Sequence, residues 1–147
     1  MSNTNQNECP RYKNLSGMKL PGVDLSYADL FRAFLIRTDL SGADMSRAEL
    51  RWANLSYADL SGADLPNADL RDANLSNANL TGAKLIGADL SDADLSDADL
   101  RGANLFHVDL SGANLEGVKS SGIIGTPEAL PDGWILKDGC LVEEGAE

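Results

Sequence analysis

Leucine, replaced once by Met45, stands at every fifth position from Leu15 to Leu115, and alanine stands two places before it at 16 of the 21 sites. Lys13, Met18, Val23, Thr38 and Val108 take that second position elsewhere. This pattern fits neither standard element. On a helix, a step of five residues turns each leucine about 140° from the last, so no single apolar stripe forms. On a straight strand, where side chains alternate with period two, an odd repeat throws successive leucines onto opposite faces. A fixed internal period is instead the mark of a solenoid whose neighbouring units bury a shared core. The chain is expected to bend once in each pentad, with alanine and leucine inward and the residue between them outward. Four near-right-angle bends then close one square coil.

Glycine supports the same count. Gly22, Gly42, Gly62, Gly82 and Gly102 recur at every fourth pentad, always two places after a leucine, so they are expected to stack along one corner. The second central residue of a type II turn needs a positive φ, which glycine reaches cheaply. Pro21 and Pro66 fall on the first central position of their turns, where proline is favoured. Arg37, Tyr57 and Asp97 occupy the glycine position at other corners, where turns without positive φ are expected.

The run ADLSGADLPNADLRDANLSNANLTGAKL resembles the pentapeptide-repeat family, whose motif is A(D/N)LXX, and the likeness extends over residues 13–117. The resemblance implies an all-β fold, a right-handed quadrilateral parallel β-helix; the handedness rests on the resemblance alone. At roughly 4.8 Å per coil, about five coils make a rod of about 25 Å. The expected organisation is a disordered or capping tail at 1–12, the β-helix at 13–117 and a small C-terminal cap at 118–147. In that last segment Asp138-Gly139 lies between Trp134-Ile135-Leu136-Lys137 and Cys140-Leu141-Val142, which reads as a two-residue hairpin. Trp134 and this hairpin are expected to cover the last coil, and similar tails in bacterial members of the family imply the same. Thr126-Pro127-Glu128 has the character of a helix start, limited to a turn by Pro131.

Composition places the chain among soluble single domains. It contains no apolar run of membrane-spanning length, and residues 1–11 lack the apolar centre of a signal peptide, so a cytoplasmic location is expected. Cys9 and Cys140 lie beyond opposite ends of the expected rod and are read as free thiols.

Function would have to reside on the outward positions. Residues four pentads apart stack in adjacent coils, so Asp29, Glu49, Asp69, Asp89 and Asp109 form an acidic column, with Arg51 and Arg71 beside it to offset like-charge repulsion. The net charge is −11. Residues 13–51 carry six basic and five acidic groups, whereas 52–117 carry three and eleven. Quinolone-resistance members of the family are acidic rods that resemble B-form DNA and bind DNA gyrase or topoisomerase IV. The resemblance therefore implies one candidate role, modulation of gyrase by DNA mimicry. The C-terminal part of the rod has one net charge per about 2 Å, against one per about 1.7 Å in duplex DNA. A solvated Asp/Asn ladder that keeps the rod soluble is the plainer account.

The first two coils carry a different surface. Phe31, Phe34 and Ile36 hold outward positions filled elsewhere by Ser, Asp or Arg, and Trp52 and Tyr57 come from the next coil. Trp52 is expected to stack on Arg32 and Tyr57 on Arg37, the members of each pair standing four pentads apart. Aromatic residues interleaved with arginine have the composition of a binding hot spot. Their alternative role is a stabilising ladder.

Chemistry finds little support. His107 has no paired nucleophile in the sequence. Asp72, Asp92, Asp94, Asp97 and Asp99 crowd two coils, and oxygen clusters can hold calcium, but the glycine-rich nonapeptide of calcium-binding β-rolls is missing. No cofactor, metal, membrane or direct nucleic-acid contact is expected. The sequence reads as a non-enzymatic protein-interaction or scaffold module, a monomer or weak dimer, whose partner is unknown; gyrase modulation is the alternative.

Overall fold

The computed structural model describes residues 12–146. The N-terminal tail to residue 11, Cys9 included, lies outside the described residues. The backbone winds in coils of four pentads. Parallel bridges join each outward residue to its equivalent one coil further on, from Asn14↔Phe34 through Asp59↔Asn79 to Asp109↔Ala129. Each side of the coil contributes a single bridging residue rather than an extended strand, because every pentad gives two residues to its corner and leaves only three for the side. We label the four sides face A (the columns through Phe34 and Asn54), face B (Asp39 and Asp59), face C (Asp44 and Asp64) and face D (Glu49 and Asp69).

One pentad, Ala58–Gly62, shows why the arrangement is stable. The Ala58 N–H closes the corner onto the Leu55 carbonyl at 3.0 Å, and the Asp59 N–H reaches the Thr38 carbonyl of the preceding coil at 2.9 Å. The Leu60 and Gly62 N–H groups donate to Asn79 and Ser61's stacked counterpart Thr81 in the following coil at 2.7 and 2.9 Å. The fifth, on Ser61, donates to the side-chain Oδ1 of Asp59 at 3.0 Å. All five donors are satisfied, which a buried or edge-forming backbone requires.

The core is a column of leucine and alanine. From Leu30 to Leu115 every leucine or methionine at the fifth position is buried, and so is every residue two places before it from Ala33 to Ala113. Thr38 fits this column by donating its hydroxyl to the Leu15 carbonyl at 3.0 Å. The first coil is looser: Leu15, Leu20, Val23, Leu25 and Ala28 are only partly buried.

The corners depart from expectation. Arg37, Tyr57 and Asp97 have φ values of 55°, 60° and 56°, and nine other non-glycine corner residues share that region. The cause is the ladder. At each corner the N–H of this residue must point along the coil axis to a carbonyl of the next coil, as Arg37 does to Ser56 and Tyr57 to Ser76. That bond fixes one backbone geometry whatever the side chain, and the side chain projects into solvent without a clash. The left-handed cost of about 1–2 kcal/mol per residue is met by the coil-to-coil bonds.

Beyond Leu115 the leucine repeat ends but the ladder continues, with Lys119, Ile124 and Ala129 bridging to Asp99, Asn104 and Asp109. Strand β1 (Trp134–Lys137) then pairs antiparallel with β2 (Cys140–Glu143) across Asp138 and Gly139, both at positive φ as a tight two-residue turn needs. Leu141 is buried in the core, Trp134 and Leu136 pack against it, and the Ile123 N–H donates to the Gly139 carbonyl at 2.9 Å. No helix forms around Thr126–Glu128.

Candidate functional site: the outward columns

Face D brings Asp29, Glu49, Asp69, Asp89 and Asp109 into one stacked column. Arg71 lies beside it, 2.6 Å from Asp69 and 3.6 Å from Asp89. The guanidinium's hydrogen bonds hold the Asp69 carboxyl below the usual range, with a smaller contribution from the charge of Arg51; Arg71 is itself shifted up. Arg101 lowers Asp99 in the same way on face B. The Asp109 carboxyl is lowered by the Ser111 hydroxyl and N–H, and Asp24 and Asp39 are lowered by Ser26 and Ser41.

The carboxylates have a second duty that charge counting misses. At 16 pentads an Asp or Asn Oδ1 accepts the N–H two residues on, at 2.8–3.3 Å. Asp64, which has no such bond, precedes Pro66, a residue with no N–H to offer; its carboxylate pairs instead with Lys84 at 2.8 Å. Where Phe34 replaces the Asx residue, the Ile36 N–H turns to the Ser16 hydroxyl at 3.3 Å. The requirement is thus for a short side chain with an oxygen at the right reach, which Asn54 and Asn74 meet as well as Asp59 does. Asp44→Asn is accordingly expected to leave stability nearly unchanged, whereas Asp44→Ala, which strands the Ser46 N–H, should cost about 1–2 kcal/mol. Thermal melts of the two variants check this, and equal losses would show that charge rather than geometry matters.

The aromatic residues of the first coils lie on face A and its two flanking corners. Phe34 is 44% exposed in the middle of the face. Phe31, Arg32 and Trp52 stand on the corner between faces D and A; Arg37 and Tyr57 stand on the corner between A and B, with Ile36 beside them and half-buried. The Arg37 guanidinium lies 5.0 Å from the Tyr57 ring centre. Arg32 does not stack on Trp52. It lies 5.2 Å from Phe31 and 5.7 Å from Tyr12, whose hydroxyl it meets at 3.0 Å, because these two rings form an edge-to-face pair on its own side. Trp52 is left with half its surface in solvent. Sequence reasoning overlooked Tyr12 and also Tyr27, over which Arg47 lies at 5.7 Å; both stand one coil from their arginine, the same register signal that pairs Arg37 with Tyr57.

His107 sits on an exposed corner against Phe106, 3.5 Å from Glu128. Asp72, Asp92, Asp94, Asp97 and Asp99 do not converge: among the described residues no three His, Cys, Asp or Glu side chains are placed to hold an ion. Among the described residues no helix is long and apolar enough to cross a membrane.

Comparison with known proteins places this geometry. The family model for pentapeptide repeats matches in eight copies over residues 14–47, 48–85 and 83–119. A pentapeptide repeat protein from the Arabidopsis thaliana thylakoid lumen is 35% identical, covers 68% of this chain and 70% of its own, and superposes with a TM-score of 0.66. A pentapeptide repeat protein from Nostoc is 46% identical over 63% of this chain and 78% of its own, with a TM-score of 0.58. The fluoroquinolone resistance protein QnrB1 is 26% identical over 78% of this chain and 67% of its own, with a TM-score of 0.42. No curated protein matches. Coils of four pentads, inward leucine and alanine, and a family match spanning most of the rod together place this chain in the pentapeptide-repeat family.

Proposed function

We propose that this protein is a non-enzymatic interaction module that engages a protein partner through face A and its two corners at the N-terminal end of the rod. The observation that carries the reading is the exposure of Phe31, Phe34, Trp52 and Tyr57 in one patch with Arg32 and Arg37, on a rod whose other outward positions are mostly Ser, Asn and Asp. Large exposed aromatics contribute nothing to the leucine core, and with arginine they are the residue types that dominate binding energy at interfaces. In this reading residues 118–147 act as the C-terminal cap, since β1 and β2 deliver Trp134, Leu136 and Leu141 to the core. The test is affinity capture from the native host with wild-type protein and Phe34→Ser/Trp52→Ser. Both side chains project outward, so the variant should melt within a few degrees of wild type while losing its captured proteins. Unchanged capture would remove the proposal.

A second reading has its own observation. Face D is an acidic column running through five coils, and a surface of that charge can compete for a DNA-binding groove. Gyrase supercoiling measured across a salt series separates the two readings: mimicry predicts inhibition that fades as salt rises, and an interaction module of the first kind predicts none. The bond to the N–H two residues on needs only a side-chain oxygen, which Asn54 and Asn74 supply as well as Asp59, so it leaves the charge of face D to be tested by that assay.

A further inference from the structure

Face A and its corners are electrically divided along the rod. The corner between D and A carries Arg32 and Arg51 in the early coils, then Arg71 beside Asp72, with the Arg71 charge met by Asp69 and Asp89 of face D, and then Asp92; the corner between A and B carries Arg37 early and Asp97 and Glu116 late. Phe34 and Asn54 are followed on the face itself by Asn74 and Asp94. Among the described residues, Arg32, Arg37 and Arg51 have no carboxylate within 4.0 Å, and Asp72, Asp92 and Asp97 have no cation within that distance; the ion pairs present involve Arg71, Lys84, Arg101 and His107.

This order of charges is self-complementary under one operation. A two-fold axis lying along the strands of face A, midway between the coil of Trp52 and the coil of Asp72, lays a second copy antiparallel on the first. Such an axis keeps each corner opposite the same corner of the other copy. Arg32 then faces Asp92, and Arg37 faces Asp97, each pair standing in the two outer coils of a four-coil contact. Trp52 faces Asp72 and Tyr57 faces Asn77 in the two inner coils, while on the strands Asn54 faces Asn74 and Phe34 lies over Asp94. The same coil pairing matches the outer charges of both corners at once, while Arg51 faces Arg71, whose charge is already met by Asp69 and Asp89 of its own chain. At roughly 4.8 Å per coil, the Trp52 and Tyr57 rings and their equivalents in the second copy lie within about one coil of one another at the centre. Aromatic rings in the middle with charge pairs at the edge is the anatomy of a specific interface.

We propose that the partner of this surface is a second copy of the chain, docked antiparallel through face A in that register. The inference rests on the reading of the aromatic and arginine patch as an interaction surface, and it names the occupant. The net charge of −11 opposes association at a distance. At physiological salt the screening length is about 8 Å, which removes most of that repulsion and leaves the short-range pairs across the face. A contact four coils long is small, so the dimer is a concentration-dependent one.

Sedimentation and light scattering over a concentration series at physiological salt test the proposal. Wild type is expected to rise from 15.6 kDa towards twice that mass. Arg32→Glu/Arg37→Glu makes both ends of the contact acidic, and Asp92→Lys/Asp97→Lys makes both ends basic. Each variant alone should stay monomeric, and an equimolar mixture should recover the doubled mass as a heterodimer. All four positions are exposed corner residues, with the Asp92 and Asp97 carboxylates leaning over Gly112 and Gly117 of the next coil, and matching melting curves confirm folding. A monomeric wild type, a dimer that survives either reversal, or a mixture that fails to associate would each overturn the inference. Host proteins captured through Phe34 and Trp52 by a monomeric wild type would leave the interaction reading standing without it, whereas a dimer dissolved by the reversals but indifferent to Phe34→Ser/Trp52→Ser would break the aromatic reading itself.

Discussion

Leu60→Ala is expected to lower the unfolding free energy by about 3–4 kcal/mol, the largest loss from a single truncation in the rod. Leu60 is fully buried at the middle of the leucine column, between Leu40 and Leu80 of the adjacent coils. Removing its side chain opens a cavity that the stacked backbone cannot collapse to fill, because the N–H groups on either side are tied to coils above and below. The same change at Leu20 removes a side chain that is only partly buried in the first coil, and about 1 kcal/mol is expected there. Chemical denaturation of the two variants checks the contrast. Equal losses would mean that the coils do not unfold as the stacked, shared core described above.

Gly125→Ala is the second large effect. Gly125 adopts φ 78°, and a Cβ added there would lie 2.7–2.9 Å from the Cβ, Cα and N of Phe106, two of them backbone atoms that cannot swing aside. Left-handed strain of about 1–2 kcal/mol and overpacking of about 1–3 kcal/mol combine to a loss of several kcal/mol. Gly62→Ala offers the comparison. Its φ is 62°, nothing lies within 4 Å of the added Cβ, and residues as large as Trp52 hold the equivalent conformation at other corners. About 1 kcal/mol is expected there. Melting temperatures of the pair, together with protease sensitivity of the segment after Leu115, report the difference; a mild Gly125→Ala would show that Phe106 and its coil can give way.

The leucine and alanine columns, the four-pentad coil and the register of stacked side chains were legible in the sequence because they follow from one period. What escaped had a common cause, namely that backbone pairing is less selective than side-chain preference. Arg37, Tyr57 and Asp97 take positive φ although their side chains disfavour it, since the bond to the next coil decides. Lys119, Ile124 and Ala129 extend the ladder without a leucine between them, since bridging needs only main-chain atoms. On the surface, register alone pairs Arg37 with Tyr57 but cannot choose among rings competing for one guanidinium, and Arg32 goes to Phe31 and Tyr12. The acidic residues were visible as charge, and their bond to the N–H two places on was hidden behind that charge. The proline at Pro66, where Asp64 is released from the bond, was the clue.

The two periods of this chain, the pentad for the interior and four pentads for the stack, have an evolutionary consequence. Gain or loss of one pentad within the rod leaves every leucine and alanine inward and rotates all later outward residues by a quarter turn onto a new side. Only a change of four pentads together preserves both the interior and the exterior pattern. Slippage of a short coding repeat can therefore rewrite which side chains neighbour one another on the outside of the molecule in a single event, while the interior stays indifferent to it.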